Sequence, residues 1–421
     1  MRVRWLAVLG CLFGVLALGV TACGGDDNGG GGGEVSGENL TIYSSLPLQG
    51  SARPQNLAVI NGAKIALKQR KNKVGKFTIK YTPLDDATAQ AGKWDPGATS
   101  ANARKAAQDD KTIAYMGEFN SGASAISIPI LNEAGIPQVS PANTAVGLTV
   151  KEPGADKGEP GKYYPTGKRT YARTPPRDTI QGAALAVVMK DDGCKQLYIL
   201  NDKEVYGLGV ANNTENSAKT QGIKVVANEG IDPKAPNYRS LASKIKDSGA
   251  DCFFFGGITQ NNAVQLYKDV AAATDATLYG PDGVAEGTFF NPKEGGIPAD
   301  VAKRTTITVA TLSKEEYEKR HIPARRFFDL YQKTYGVSDP DPYAIFGYET
   351  MSVILDAIKR AGDKGNDRDE VLKQIFATNR PDSVLGKYSI DNNGDTTLTD
   401  YGVYKIAGGK LAFQRTVEAE K

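Results

Sequence analysis

The chain has 421 residues, 51 Lys and Arg against 48 Asp and Glu for a formal net charge of +3, and 40% hydrophobic residues. That length exceeds what one compact core usually holds, so two lobes are expected, and the near balance of charge argues against a nucleic-acid partner, which needs a concentrated basic surface. One histidine, His321, and four cysteines leave few parts for acid-base, nucleophilic or zinc chemistry, so no enzyme, metal or cofactor is expected.

Arg2 and Arg4 precede an apolar run that closes on Val20-Thr21-Ala22-Cys23. A positive start, a hydrophobic run marginal for a membrane-spanning helix, and small residues before a cysteine form an export signal of the lipoprotein type. Residues 1–22 are expected to be cleaved, Cys23 to carry a diacylglyceryl group, and the glycine-rich residues 23–38 to act as a flexible tether. An ordinary secretion signal or a retained anchor is the alternative. Cys11 would leave with the signal. Cys194 and Cys252 each precede an apolar run, so in adjacent parallel strands their starting ends would lie side by side; a disulfide and two buried thiols both remain open.

From Asn39 onward short apolar runs alternate with amphipathic segments, the pattern of a parallel sheet covered by helices. Strands are expected at residues 40–43, 77–81, 113–116 and 136–139. Helices fall between them, the first placed by Leu57, Ile60, Lys64 and Leu67 at helical spacing. Residues 151–168, dense in Gly, Pro and charge, form a surface excursion, and 171–174 cross into a second series. There, strands at 197–201, 225–228, 252–255, 277–280 and 306–310 alternate with helices at 179–189, 210–221, 241–248 and 263–273. Three helices follow at 314–335, 343–361 and 369–377, then strands at 387–390, 401–406 and 411–417. The run Asp391-Asn392-Asn393-Gly394-Asp395 reads as a tight turn, since its glycine is misplaced for a calcium loop and no terminal glutamate follows.

In a doubly wound sheet, ligands bind beyond the carboxyl ends of the strands. Four segments lie there: 117–123, 140–144, 201–207 and 280–283. Ser121 reads as a helix cap that leaves the amides of Gly122 and Ala123 open to a carboxylate. Thr144 offers a hydroxyl and an amide, the carbonyls of Ala142 and Asn143 can accept from an ammonium, Asp282 supplies its countercharge, and Tyr206 adds a phenol and an aromatic wall. Tyr343 and Phe346 suit a pocket or a core equally well.

The segments Gly117 to Ser121, Ser140-Pro141-Ala142-Asn143-Thr144, Asn201 to Gly207, Phe255-Gly256-Gly257 and Gly280-Pro281-Asp282-Gly283 together resemble, in order and spacing, the type I solute-binding proteins of ABC importers. The likeness is to leucine-isoleucine-valine-binding proteins in particular. It implies an α/β fold of two doubly wound parallel-sheet lobes joined by a multi-strand hinge, with the ligand cleft between them. Residues 39–171 with 312–398 are expected in lobe 1, and 172–311 with 399–421 in lobe 2. The resemblance implies that Ser121 and Thr144 hold a carboxylate, that Asp282 binds an ammonium and that Tyr206 lies across the cleft. Gln49, Gly122, Ala142, Asn143, Ile258 and Thr259 complete the expected ligand set. Asp282 stands where the family usually has glutamate, Asn143 replaces a small residue, a tyrosine expected after Gly257 is Ile258 or Thr259, and the loop 48–51 lacks the familiar aromatic. The implied function is a lipid-anchored, extracytoplasmic receptor that passes an aliphatic amino acid to a membrane permease. A sensor of the same fold, a binder of amides or aromatic acids, and a hydrolase using Asp85, Asp86, Asp202 and Asp282 are the alternatives.

Overall fold

The computed structural model describes residues 33–419; the expected signal at 1–22 and the expected lipidation at Cys23 lie outside them. Two sheets organise the chain. The first contains β1 (Asn39–Leu46), β2 (Lys73–Val74), β3 (Phe77–Asp85), β4 (Thr112–Gly117), β5 (Gln138–Ser140) and β6 (Tyr171–Arg173), in the order β2-β3-β1-β4-β5-β6. All pairs are parallel except the β2–β3 hairpin. The second contains β7 (Gln196–Asn201), β8 (Lys224–Gly230), β9 (Cys252–Gly256), β10 (Thr277–Gly280) and β11 (Thr305–Val309). A separate hairpin, β12 (Asn379–Ser383) with β13 (Gly386–Ser389), precedes β14 (Asp400–Ala407) and β15 (Lys410–Glu418). β14 and β15 add antiparallel strands to the edge of the second sheet, giving the order β15-β14-β11-β10-β9-β7-β8. The fold is therefore α/β, with two lobes built on mainly parallel sheets.

The continuous apolar runs explain these strands. β4 and β9 are buried along their whole length, as strands covered by helices on both faces must be. The late helix Ala344–Ala361 returns to the first sheet's side because two glycines let it pack backbone to backbone on the helix Arg53–Gln69. A Cβ on Gly62 would lie 2.0 Å from the Ala344 carbonyl oxygen, and one on Gly347 would lie 2.0 Å from that of Val59.

Several expectations are corrected. Part of the segment expected as a tether is held against the fold: Glu34 bridges to Asp367, and the Val35 amide donates to the Asn366 carbonyl at 2.7 Å with the valine buried. The helix expected over 314–335 is two, Lys314–Arg320 and Ile322–Tyr335, because Pro323 has no N–H to continue the ladder and is tolerated only in a first turn. The helix expected at 210 starts at Val205, which brings Tyr206 into its first turn. β2 and β12 carried no apolar signal.

Cys194 and Cys252 are joined in a disulfide, their Cα atoms 5.8 Å apart at the starts of β7 and β9. It closes a loop with a sequence separation of 58, so replacing both cysteines by serine is expected to cost about 2–4 kcal/mol of stability. Denaturant melts of the double variant and of reduced wild type should agree; a midpoint unchanged from oxidised wild type would contradict this.

Candidate ligand-binding cleft

The cleft opens where the carboxyl ends of strands from both sheets face each other, and loops from each supply its walls. Asp282 begins the short turn Asp282–Val284 after β10. Its carboxylate is buried and accepts hydrogen bonds from the phenols of Tyr206 and Tyr343, the latter at 2.6 Å. Tyr206 comes from the helix Val205–Thr220, whereas Tyr343 immediately precedes the helix that packs on the first sheet's side. Burial pushes the Asp282 carboxyl up, and the hydrogen bonds from Tyr206 and Tyr343 only partly oppose it.

Ser121, Ala142 and Thr144 line the same gap. Ser121 is the first residue of the helix Ser121–Glu133, with Asn120 at the cap position and no side-chain cap hydrogen bond, and the Ser121 Oγ accepts from the Ala145 amide at 3.3 Å. The Ala123 amide is already used on the Asn120 carbonyl at 3.1 Å, contrary to expectation. Asp178, which the sequence reading passed over, donates its amide to the Thr144 carbonyl at 2.8 Å. Both of its carboxylate oxygens lack a hydrogen-bond partner, and burial, then the charge of Asp282, push its carboxyl well above the ordinary range.

Of the remaining walls, Phe119 lies in the segment 117–123 and Ile258 and Tyr343 were candidates, whereas Trp94, Glu286, Gln260, Gln55 and Lys93 came from no motif. Phe119 and Tyr343 stack with ring centroids 5.3 Å apart, and Trp94 joins Ile258 as apolar surface. Glu286, Gln260 and Gln55 form a polar wall. Gln260 Nε2 donates to both Glu286 oxygens, at 3.0 and 2.7 Å, and to Ser51 Oγ at 2.7 Å. Burial pushes the Glu286 carboxyl up to about 7. Lys93 also faces the cleft, but it pairs with Glu204 and donates to Asn261 Oδ1 at 2.7 Å, while Trp94 Nε1 donates to Glu204 at 3.2 Å. These contacts join segments on either side of the gap. Trp94, alone in a polar loop and the only tryptophan outside the apolar leader, was the signal available in the sequence.

Four of the expected ligand residues do not line the gap. Gln49 is exposed and donates to Asp85 and to the Ala87 carbonyl. Gly122 lies under Trp94, whose ring would meet a Cβ there at 2.7 Å. Asn143 turns into the first lobe, donating to the Phe119 carbonyl at 2.8 Å and accepting from Tyr171 at 2.9 Å. Thr259 donates to the Gly283 carbonyl at 3.4 Å. Two of the four acids considered for hydrolysis are employed elsewhere, and a third lies away from the gap. Asp85 fixes the loop at Leu48, Asp202 accepts from the Ile258 amide and from Asn261, and Asp86 is buried beside Glu118.

A family described as periplasmic binding protein matches residues 41–410. Among curated proteins, a Leu/Ile/Val-binding protein of Rhizobium johnstonii is 25% identical over 378 residues, covering 89% of this chain and 93% of that protein. Among solved structures, a leucine-binding protein of Thermotoga maritima superposes with a TM-score of 0.75 at 22% identity, covering 90% of this chain and 99% of the other. A solute-binding protein of R. palustris in complex with benzoate gives 0.72 at 19% identity, covering 90% and 97%.

Proposed function

We propose a function from one established premise: the chain belongs to the periplasmic binding protein family. It is thus a solute-binding protein of the ABC-transporter kind and not an enzyme, and the family places its work outside the cytoplasm. Among the described residues no helix is long and apolar enough to cross a membrane, and anchoring through a lipid on Cys23 fits the leader. Residues 39–171 with 312–398 serve as one lobe and 172–311 with 399–421 as the other, closing on the solute and presenting it to a membrane permease.

The solute is an α-amino acid. Its ammonium sits against Asp282 and the Ala142 carbonyl, its carboxylate against Ser121 and Thr144, and Tyr206 and Tyr343 hold the acid in place. The observation that carries this reading is that Asp282, buried in the cleft, has two phenols for partners and no ion pair among the described residues. A buried carboxylate without a cation is costly, and a ligand ammonium removes that cost. An aromatic acid of the kind bound by the R. palustris protein would leave it in place. A sensor role would use the same site and differ only in the partner.

A thermal-shift screen of the purified protein tests the reading. Free α-amino acids raise the melting temperature progressively, with the logarithm of ligand concentration above Kd, as binding to the folded state alone requires, while their N-acetyl and des-amino analogues do not. Equal stabilisation by benzoate or by the des-amino analogues would overturn it.

A further inference from the structure

We infer that the side chain of the solute ends in a cationic nitrogen, an ammonium or guanidinium, and that Glu286 is the residue that selects it. The inference rests on the amino-acid reading above and extends it to the side chain.

Glu286 stands in the same predicament as Asp282. It lines the same cleft, it is only 7% exposed, and every contact made by its carboxylate is to a neutral donor. Gln260 donates to both oxygens, with Ser51 at 3.5 Å and Thr288 at 3.4 Å. The charge that acts on it is that of another acid, Asp341. The one lysine on the cleft wall, Lys93, is committed to Glu204 and Asn261.

Among the described residues the lining of the cleft therefore presents two buried carboxyl groups, Asp282 and Glu286, that no protein cation neutralises, and a zwitterion supplies a cation for only one. An aliphatic side chain seated against Glu286 would strip its remaining water and return no charge. A side-chain ammonium or guanidinium instead forms a charge-assisted hydrogen bond with it. Gln260, from the same lobe, holds both carboxylate oxygens, and Ser51 approaches from the other side of the cleft. The aliphatic solutes in the names of the relatives do not call for an acid at this position.

Calorimetric titration of the full chain with L-lysine, L-ornithine, L-arginine, L-leucine and L-glutamine tests this, with E286Q as the variant. At least one basic amino acid should bind roughly tenfold or more tightly than leucine. E286Q, an isosteric change, should weaken that ligand by roughly tenfold to a hundredfold while leaving leucine little affected. Wild type preferring leucine, or glutamine binding most tightly, overturns the cationic side chain and leaves the amino-acid reading intact. The same holds if the ranking is unmoved in E286Q. Binding of none of the five overturns the amino-acid reading itself.

Discussion

Asp282→Asn is expected to weaken amino-acid binding by roughly 10²- to 10³-fold, the loss that follows when one partner of a buried charge pair is removed. The ligand-free protein should melt no lower than wild type. The two effects have opposite signs because the acid is unfavourable without its ligand: burial raises its proton affinity, and the phenols of Tyr206 and Tyr343 offset only part of that. Since the folded chain holds this proton to higher pH than the unfolded chain does, Asp282 makes stability fall as pH rises between the ordinary carboxylate value and the raised one. Asparagine abolishes that contribution while keeping the shape: the two phenols reach different oxygens of Asp282, so the amide carbonyl accepts from one and the NH2 group donates to the oxygen of the other. Calorimetry gives the affinity, and thermal melts across the acidic range give the stability. Binding within a few-fold of wild type would remove the ammonium from Asp282, and a sharp fall in melting temperature would make the residue structural.

The cleft was legible in the sequence where the strand-end rule reaches and illegible where tertiary packing takes over. Thr144 and Asp282 follow apolar runs directly and Tyr206 follows one at short range, so their placement beyond β5, β10 and β7 needed only the alternation of strand and helix. Asn143 sits in the same loop yet points inward, because its amide has the Phe119 carbonyl and the Tyr171 phenol to satisfy; a one-residue difference in orientation has no signature in spacing. Lys93, Trp94, Gln55 and Gln260 enter only because two separate units meet there. Glu286, four residues after Asp282, looked like any loop acid until burial and Gln260 were visible. Tyr343 was ambiguous for a sound reason, being both core and site: it is buried against Phe119 and Phe346 while its hydroxyl reaches Asp282. Among the elements, β12 reads Asn-Arg-Pro-Asp-Ser and owes its existence to pairing with β13 rather than to its own propensity.

The turn at residues 391–395 holds more than its composition suggested, and Asp395→Ala is expected to cost about 3–5 kcal/mol of stability. Asp395 is buried, accepting from Arg173 Nε at 2.7 Å and from Thr149 Oγ1 at 3.0 Å, with Arg177 Nη1 paired to it at 3.2 Å. Arg173 ends β6, where the chain leaves the first sheet, and Asp395 lies between β13 and β14, where it joins the second; the pair thus bolts two of the inter-lobe crossings together. Gly394 makes the approach possible: its φ is +92°, its carbonyl accepts from the Arg173 amide at 2.9 Å, and a Cβ there would lie 2.2 Å from the Tyr171 carbonyl oxygen. Alanine at 395 would leave the Arg173 guanidinium buried without its anion, while Arg177 keeps Glu152 at 3.3 Å. Arg173 also donates to the Ala145 carbonyl at 2.8 Å, so the loop that carries Thr144 should loosen and amino-acid affinity should fall alongside stability. Chemical denaturation measures the first effect and calorimetry the second. Pairing Asp395→Leu with Arg173→Met should be less damaging than Asp395→Ala alone, since apolar replacement of both partners removes the orphaned charge that single truncation leaves behind. A loss below about 1 kcal/mol for Asp395→Ala, the value of a solvent-exposed pair, would mean that water reaches this junction and that the crossings are held by their backbone alone.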